Sequence, residues 1–193
     1  TIAVGSRRRS PADRGLTEAP AAETVPANEP EAAPSRNLLV APLSGKVIPL
    51  AEIPDQVFSQ GILGEGVGID PTGNSVVAPA DATVSSVIED SKHACGLTLD
   101  NGMELLIHVG MELLIHVGMD TVAMKGDGFE LHVKVGDRVK TGDKLISFDL
   151  DKIRAAGHPT ITAVVVPEAA GRTLSFETGL AAQAGTTPII RFA

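Results

Sequence analysis

The sequence predicts an all-β protein: an antiparallel β-sandwich or barrel-sandwich hybrid with one or two very short helices. Three observations point there. From Leu38 onward, short runs rich in Val, Ile, Leu and Thr recur at close spacing, with Gly, Pro, Asn and Asp between them. Pro49, Pro71, Pro79 and Pro188 fall at the ends of these runs, where a missing N–H breaks no ladder. Helical patterning is confined to Asp149–Ala156, stopped by Gly157 and Pro159, and to one turn at Asp55–Ser59.

The expected strands are 47–50, 66–69, 75–77, 83–88 and 96–99, then a histidine-ended strand after 102, then 129–133, 144–148, 161–166 and 188–192. Asp100-Asn101-Gly102, between two apolar runs, is the strongest hairpin signal in the chain. Folding back there brings His93 opposite the neighbourhood of His108, each about seven residues from the turn.

Ahead of this region, residues 1–37 form a Pro/Ala/Glu-rich stretch with few large apolar residues, which cannot bury enough surface to offset chain entropy. It reads as a tether, and residues 38–193 as the folded domain. Five Arg and five acidic residues within 1–36 cancel, so the net charge of −8 lies on the folded part and would attract a basic partner surface. That charge, with no Trp and no Tyr, argues against nucleic-acid binding. The single Cys95 excludes an internal disulfide and a cysteine-based zinc cluster, as expected of a reducing cytosol. No apolar run reaches the length of a bilayer span.

Residues 102–109 and 110–117 both read Gly-Met-Glu-Leu-Leu-Ile-His-Val. An even offset preserves strand alternation, so His108 and His116 would share a face of one continuous strand, but roughly 26 Å apart. They are not a ready-made ligand pair.

Several segments carry a resemblance: Ala41-Pro-Leu-Ser-Gly-Lys-Val, Pro54-Asp-Gln-Val-Phe, Gly64-Glu-Gly-Val-Gly-Ile, Val77-Ala-Pro-Ala-Asp-Ala-Thr-Val, Lys92-His-Ala, the histidine strand, Val135-Gly-Asp-Arg-Val-Lys-Thr-Gly-Asp and Thr187-Pro-Ile-Ile. In this order, from about 38 to 193, the chain resembles the glucose-type enzyme IIA domain of the bacterial phosphoenolpyruvate-dependent sugar phosphotransferase system. The family signature around its phosphorylated histidine is met at every position from Gly110 to Val122, with His116 as the histidine. Started at Gly102, it survives to Met111 and then meets Leu113 where Thr is required. The family's other spacing votes the opposite way. It separates its two active-site histidines by fifteen positions, as His93 and His108 are, whereas His93 and His116 are twenty-three apart. Because surplus residues in a hairpin connection cost little closure entropy, His116 is the favoured acceptor and His108 the alternative.

The resemblance implies a phosphotransferase component whose strand histidine accepts a phosphoryl group from a histidine-containing phosphocarrier protein. The group then passes to a cysteine of the sugar-specific IIB/IIC permease. Imidazole suits such a relay, being a good nucleophile near neutral pH. His93 would donate a hydrogen bond to the phosphoryl oxygens, and Ser91 would orient its ring. Ile115, Val117 and Met119, with Val57, Phe58 and Ile62, would form an apolar docking rim, and Asp55 and Asp120 would meet basic partner residues. No cofactor is required. Weak zinc binding at His93 and His116, with a ligand borrowed from a partner, is a further implication. So are a cytoplasmic location, tethering to a membrane permease through the linker, and regulatory contacts with metabolic enzymes or transporters. Two alternatives stand beside this reading: a biotinyl or lipoyl carrier, suggested by Ala123-Met124-Lys125, and a regulatory binding module inactivated by the duplication. His132 and His158 fit no motif and are expected at the surface.

Overall fold

The computed structural model describes residues 37–110 and 124–193, and all of these fall within one unit, Pro34–Ala193. Residues 1–36, expected as a tether, and the segment 111–123, which carries Ile115, His116, Val117, Met119 and Asp120, lie outside the described residues.

In chain order the described strands are β1 (Leu38–Val40), β2 (Gly45–Pro49), β3 (Glu65–Pro71), β4 (Ser75–Val77), β5 (Ala82–Val87), β6 (Ala94–Leu99) and β7 (Glu104–Val109). They continue with β8 (Phe129–Leu131), β9 (Arg138–Val139), β10 (Lys144–Phe148), β11 (Thr162–Glu168), β12 (Leu174–Phe176), β13 (Ala181–Ala182) and β14 (Pro188–Phe192). Among the described residues helix is limited to α1 (Gln56–Ser59), α2 (Leu150–Ala155) and one 3-10 turn at Leu50–Glu52. Asp149 caps α2 by accepting from the N–H groups of Asp151 and Lys152.

Every strand pairing among the described residues is antiparallel. Eight strands form one sheet in the order β13-β2-β3-β11-β7-β6-β5-β9, with smaller sheets β1-β14-β12 and β4-β10-β8 packed around the same core. Pro49 and Pro71 close β2 and β3, and Pro188 opens β14. Expected strand 47–50 gives way to the 3-10 turn after Pro49. Strands β1, β9, β12 and β13 were not anticipated. At two or three residues each they carry too little alternation to stand out, and partners distant in sequence define them, as when Leu39 pairs with Ile190.

β7 lies between β6 and β11 near the middle of the large sheet, so strand alternation assigns its faces sharply. Leu105, Ile107 and Val109 are fully buried in the main core with Leu97, Val164 and Ile69. Each contributes roughly 1.5–3 kcal/mol of burial. Leu106 and His108 point to the opposite face, where Ile48, Ile53, Phe58, Ala163 and Val165 make a second, smaller cluster. Gly68 lets this cluster close: a Cβ there would come within 2.8 Å of Ile48 Cγ1 and 2.9 Å of Ile53 Cγ1.

Candidate active site: a buried histidine pair

The pair is assembled by the β6–β7 hairpin. At its tip Leu99 N–H donates to the Met103 carbonyl (2.9 Å) and Gly102 N–H to the Leu99 carbonyl (3.0 Å), with Gly102 at φ +85°. That conformation suits a residue without a Cβ. Asn101 Oδ1 accepts from Met103 N–H at 3.0 Å, a local turn bond. Outside the turn, Arg138 on β9 reaches both carboxylate oxygens of Asp100. From this tip the register runs from Thr98↔Glu104 to Ala94↔His108, and Val109 N–H donates to the His93 carbonyl at 2.8 Å. His93, just ahead of β6, and His108 bring their Nε2 atoms to 3.0 Å, with ring centroids 4.5 Å apart and planes at 78°.

The hydrogen-bond network assigns the protons. His108 Nδ1 lies 2.9 Å from the Gly110 carbonyl, which can only accept, so the Nδ1–H donates there and His108 Nε2 is left with a bare lone pair. His93 must then donate its Nε2–H to that lone pair. Burial holds both rings neutral. The His108 pKa is pushed down to about 4 by desolvation first and by the neighbouring His93 second, opposed by the Gly110 carbonyl. Burial likewise lowers that of His93, with the nearby Ser91 backbone opposing it.

The hydrogen bond expected from Ser91 to orient the His93 ring is not formed among the described residues. The Ser91 side chain is buried, but neither its Oγ nor His93 Nδ1 has a hydrogen-bond partner among the described residues.

Apolar groups wall the pair. The Phe58 ring centroid lies 5.3 Å from that of His108, and Phe129 sits 6.3 Å from His93 on the other side. Val57 is half-buried beside Phe58, and Ile62 is 66% exposed, as a docking surface would need. Leu63, 38% exposed, adjoins it and was not anticipated. Neither was Phe129, whose place beside His93 depends on β8 pairing with β10, nor the Gly110 carbonyl, since a backbone acceptor leaves no residue-type signal.

Asp55 corrects the sequence reading. Expected to face a basic partner, it is only 7% exposed and caps α1, its Oδ1 accepting from Val57 N–H (2.8 Å) and Phe58 N–H (3.1 Å). With four residues in α1, this cap is a large share of what fixes Phe58 over His108. Asp55→Ala is therefore expected to cost about 1–2 kcal/mol in urea unfolding, and Asp55→Asn well under half of that. Equal losses for the two variants would mean the cap is not the source.

The remaining groups lie apart from the pair. His132 is exposed, with Nε2 2.7 Å from Ser147 Oγ, and His158 is half-buried. Lys125 is exposed on the turn Met124–Gly128 that leads into β8. Among the described residues no three His, Cys, Asp or Glu side chains are grouped to hold a metal ion, and no helix is long and apolar enough to cross a membrane.

A family model described as "phosphoenolpyruvate-dependent sugar phosphotransferase system, EIIA 1" matches residues 37–113 and again residues 110–171. The chain belongs to this enzyme IIA family. The match breaks in two where the octapeptide repeats, and each stretch uses its own copy of the histidine strand. Over 132 residues the chain is 52% identical to the PTS system mannose-specific EIIBCA component of Corynebacterium glutamicum, covering 68% of this chain but only 18% of that protein. It is 44% identical over 154 residues to the PTS system glucose-specific EIIA component of Bacillus cereus, covering 79% of this chain and 88% of that one. Among solved structures, the glucose permease IIA from Mycoplasma capricolum matches with a TM-score of 0.69 and 32% identity, covering 79% of this chain and 94% of that chain. With this match the all-β sandwich expected of an enzyme IIA domain is the fold observed.

Proposed function

We infer that this enzyme IIA domain is a phosphoryl carrier of a sugar phosphotransferase system, with His108 Nε2 as the accepting atom in the arrangement described. The observation that carries this is a lone pair held unprotonated by its own Gly110 hydrogen bond, 3.0 Å from a second imidazole placed to donate. The lone pair attacks phosphorus in line, and the P–N bond to the donor's histidine breaks with its electron pair leaving on that nitrogen. As the new Nε2–P bond forms, positive charge spreads through the ring, and the Nδ1–H bond to the Gly110 carbonyl stabilises it. The His93 N–H, released from the lone pair, turns to the phosphoryl oxygens. Onward transfer to a cysteine thiolate reverses these steps.

The preference for His116 drawn from the signature rests on residues outside those described. The hairpin register favours His108, because it is the first octapeptide that occupies β7. Phe58, Val57, Ile62 and Leu63 would give both partners an apolar seat. The proposed partners are a histidine-containing phosphocarrier protein upstream and the sugar-specific IIB/IIC components downstream. The names of the fused Corynebacterium proteins support the latter. Zinc would find only two ring nitrogens here of the four ligands it prefers, so a partner would have to supply the rest.

Incubation with phosphoenolpyruvate and the two upstream proteins of the system should load about one acid-labile, base-stable phosphoryl group per chain. Absence of label in the folded chain would sink the carrier reading.

A further inference from the structure

We infer that the contact of Gly126 with Asp90 and Lys92 aims the His93 donor at His108, which makes Gly126 and the aliphatic stem of Lys92 positioning residues for phosphoryl transfer. The inference takes its chemistry from the carrier reading, while its structural part concerns the pair before any phosphate arrives.

His93 has to hold its Nε2–H on the His108 lone pair, and that is the one side-chain hydrogen bond it makes among the described residues. With Nδ1 unpartnered there, no second hydrogen bond fixes the ring, so backbone and packing set its direction. The backbone comes from the connection between β5 and β6. Lys92 N–H donates to the Ile88 carbonyl at 2.8 Å, and Lys92 takes a left-handed φ of +57° immediately before His93. For a lysine this conformation is unfavourable, because its Cβ crowds the backbone. It persists where the surrounding structure holds it.

The turn Met124–Gly128 supplies that hold. Phe129 N–H donates to the Gly126 carbonyl at 3.0 Å and Asp149 N–H to the Gly128 carbonyl at 2.8 Å, which ties the turn to β8 and to the head of α2. Asp127 and Lys152 add an ion pair at 2.6 Å. Gly126, in turn, rests on the His93 connection: a Cβ there would lie 2.9 Å from the Asp90 carbonyl oxygen, 3.4 Å from Lys92 Cδ and 3.6 Å from Lys92 Cε. The two segments approach this closely because residue 126 has no side chain, and its φ of +77° asks for glycine as well. Three residues on, Phe129 is buried in β8 with its ring 6.3 Å from that of His93. One tied-down piece of chain therefore bears on the imidazole through Phe129 and on its backbone through Gly126. Misplacing a catalytic donor by about 1 Å can cost about 10²-fold in rate.

The test uses the full chain, with long-range proton–nitrogen NMR of the imidazoles and rapid-quench uptake from phosphoenolpyruvate through the two upstream proteins. In Gly126→Ala the added Cβ pushes on Asp90, so the His93 Nε2–H resonance should move toward that of a free imidazole N–H. The His108 Nδ1–H resonance, bonded to Gly110, should stay where it is. Uptake should fall about tenfold to a hundredfold. Gly136→Ala carries the same kind of backbone penalty, at φ +91° just ahead of β9, with nothing within 4 Å of the added Cβ. It should lose stability yet keep the parent's resonances and uptake. Lys92→Ala removes the stem lying against Gly126 and should shift the His93 resonance and slow uptake by about threefold or more, whereas Lys92→Met keeps a stem without the charge and should behave as the parent. An unmoved His93 resonance in Gly126→Ala and Lys92→Ala would overturn the inference. So would a Lys92→Met chain as impaired as Lys92→Ala, which assigns the effect to charge, or a Gly136→Ala chain as slow as Gly126→Ala, which assigns it to backbone strain. Should Gly126→Ala fail to fold, the two Lys92 variants decide on the same readouts. A parent that takes up no phosphate would remove the carrier reading, and the resonances would still decide the contact.

Discussion

His93→Leu should slow phosphoryl uptake by about 10²–10³-fold while leaving the unfolding midpoint in urea close to the parent's. The rate figure follows from removing one pre-placed donor aimed at developing negative charge in a site walled by Phe58 and Phe129. Leucine fills most of the buried volume and removes the unpartnered His93 Nδ1, which offsets the loss of the donor to His108 Nε2, so the fold loses little. The His108 lone pair survives the substitution, since its tautomer is fixed by Gly110 rather than by His93. The loss therefore belongs to the transfer step and not to preparation of the nucleophile. His93→Gln keeps an N–H at a similar reach and should recover at least tenfold of it. Rapid-quench uptake measurements separate these cases, and a leucine variant within threefold of the parent would remove His93 from the chemistry.

Much of this site was legible in the sequence because its geometry is local. The tight turn at Asp100-Asn101-Gly102 sets the register by itself, and counting seven residues from it on either side finds the two imidazoles. The large sheet was legible for a related reason: its strands are long enough to alternate. Two-residue strands such as β9 and β13 have no period and exist only because β5 and β2 offer them a free edge. Asp55 was misread because a carboxylate before a short helix signals a cap and a surface charge equally well, and only the burial of Phe58 separates them. The choice of acceptor was harder, since the two spacings disagree for a simple reason. Excising either octapeptide gives the same shorter sequence, in which His93 precedes the histidine by fifteen and the signature runs on to Val122. The signature is then written across the second copy and the spacing across the first. Placing the surplus in the turn ignored the turn's own sequence preference: Asn101 and Gly102 make bonds there that an eleven-residue loop would forgo.

Lowering the pH from 7 to 4.5 should destabilise the domain by up to about 3 kcal/mol, most of it from His108. In the folded chain burial pushes its pKa down to about 4, from an ordinary value of 6.5. Between those limits the unfolded chain binds a proton that the folded chain does not, so stability rises with pH across that interval. The contribution is complete above about pH 6.5 and is lost as the pH falls toward 4, at about 1.4 kcal/mol per pH unit. His93 is shifted in the same direction, also by burial, and adds to the slope. Asp100 and Asp127, whose pKa values Arg138 and Lys152 lower, act in a different window. Their contribution is present above the ordinary carboxylate range and is lost only below it, and both are exposed enough for solvent to screen them. A fall in the urea midpoint already under way at pH 6 is therefore the signature of the histidine pair. The His108→Gln chain, which removes the more strongly shifted imidazole, should lose most of that slope. Uptake by the parent should behave oppositely to its stability, staying flat from pH 8 to about 5 because Nε2 remains unprotonated throughout. A urea midpoint constant from pH 7 to 4.5 would mean that the rings are not held neutral by burial, and the nucleophile would then have to be explained in another way.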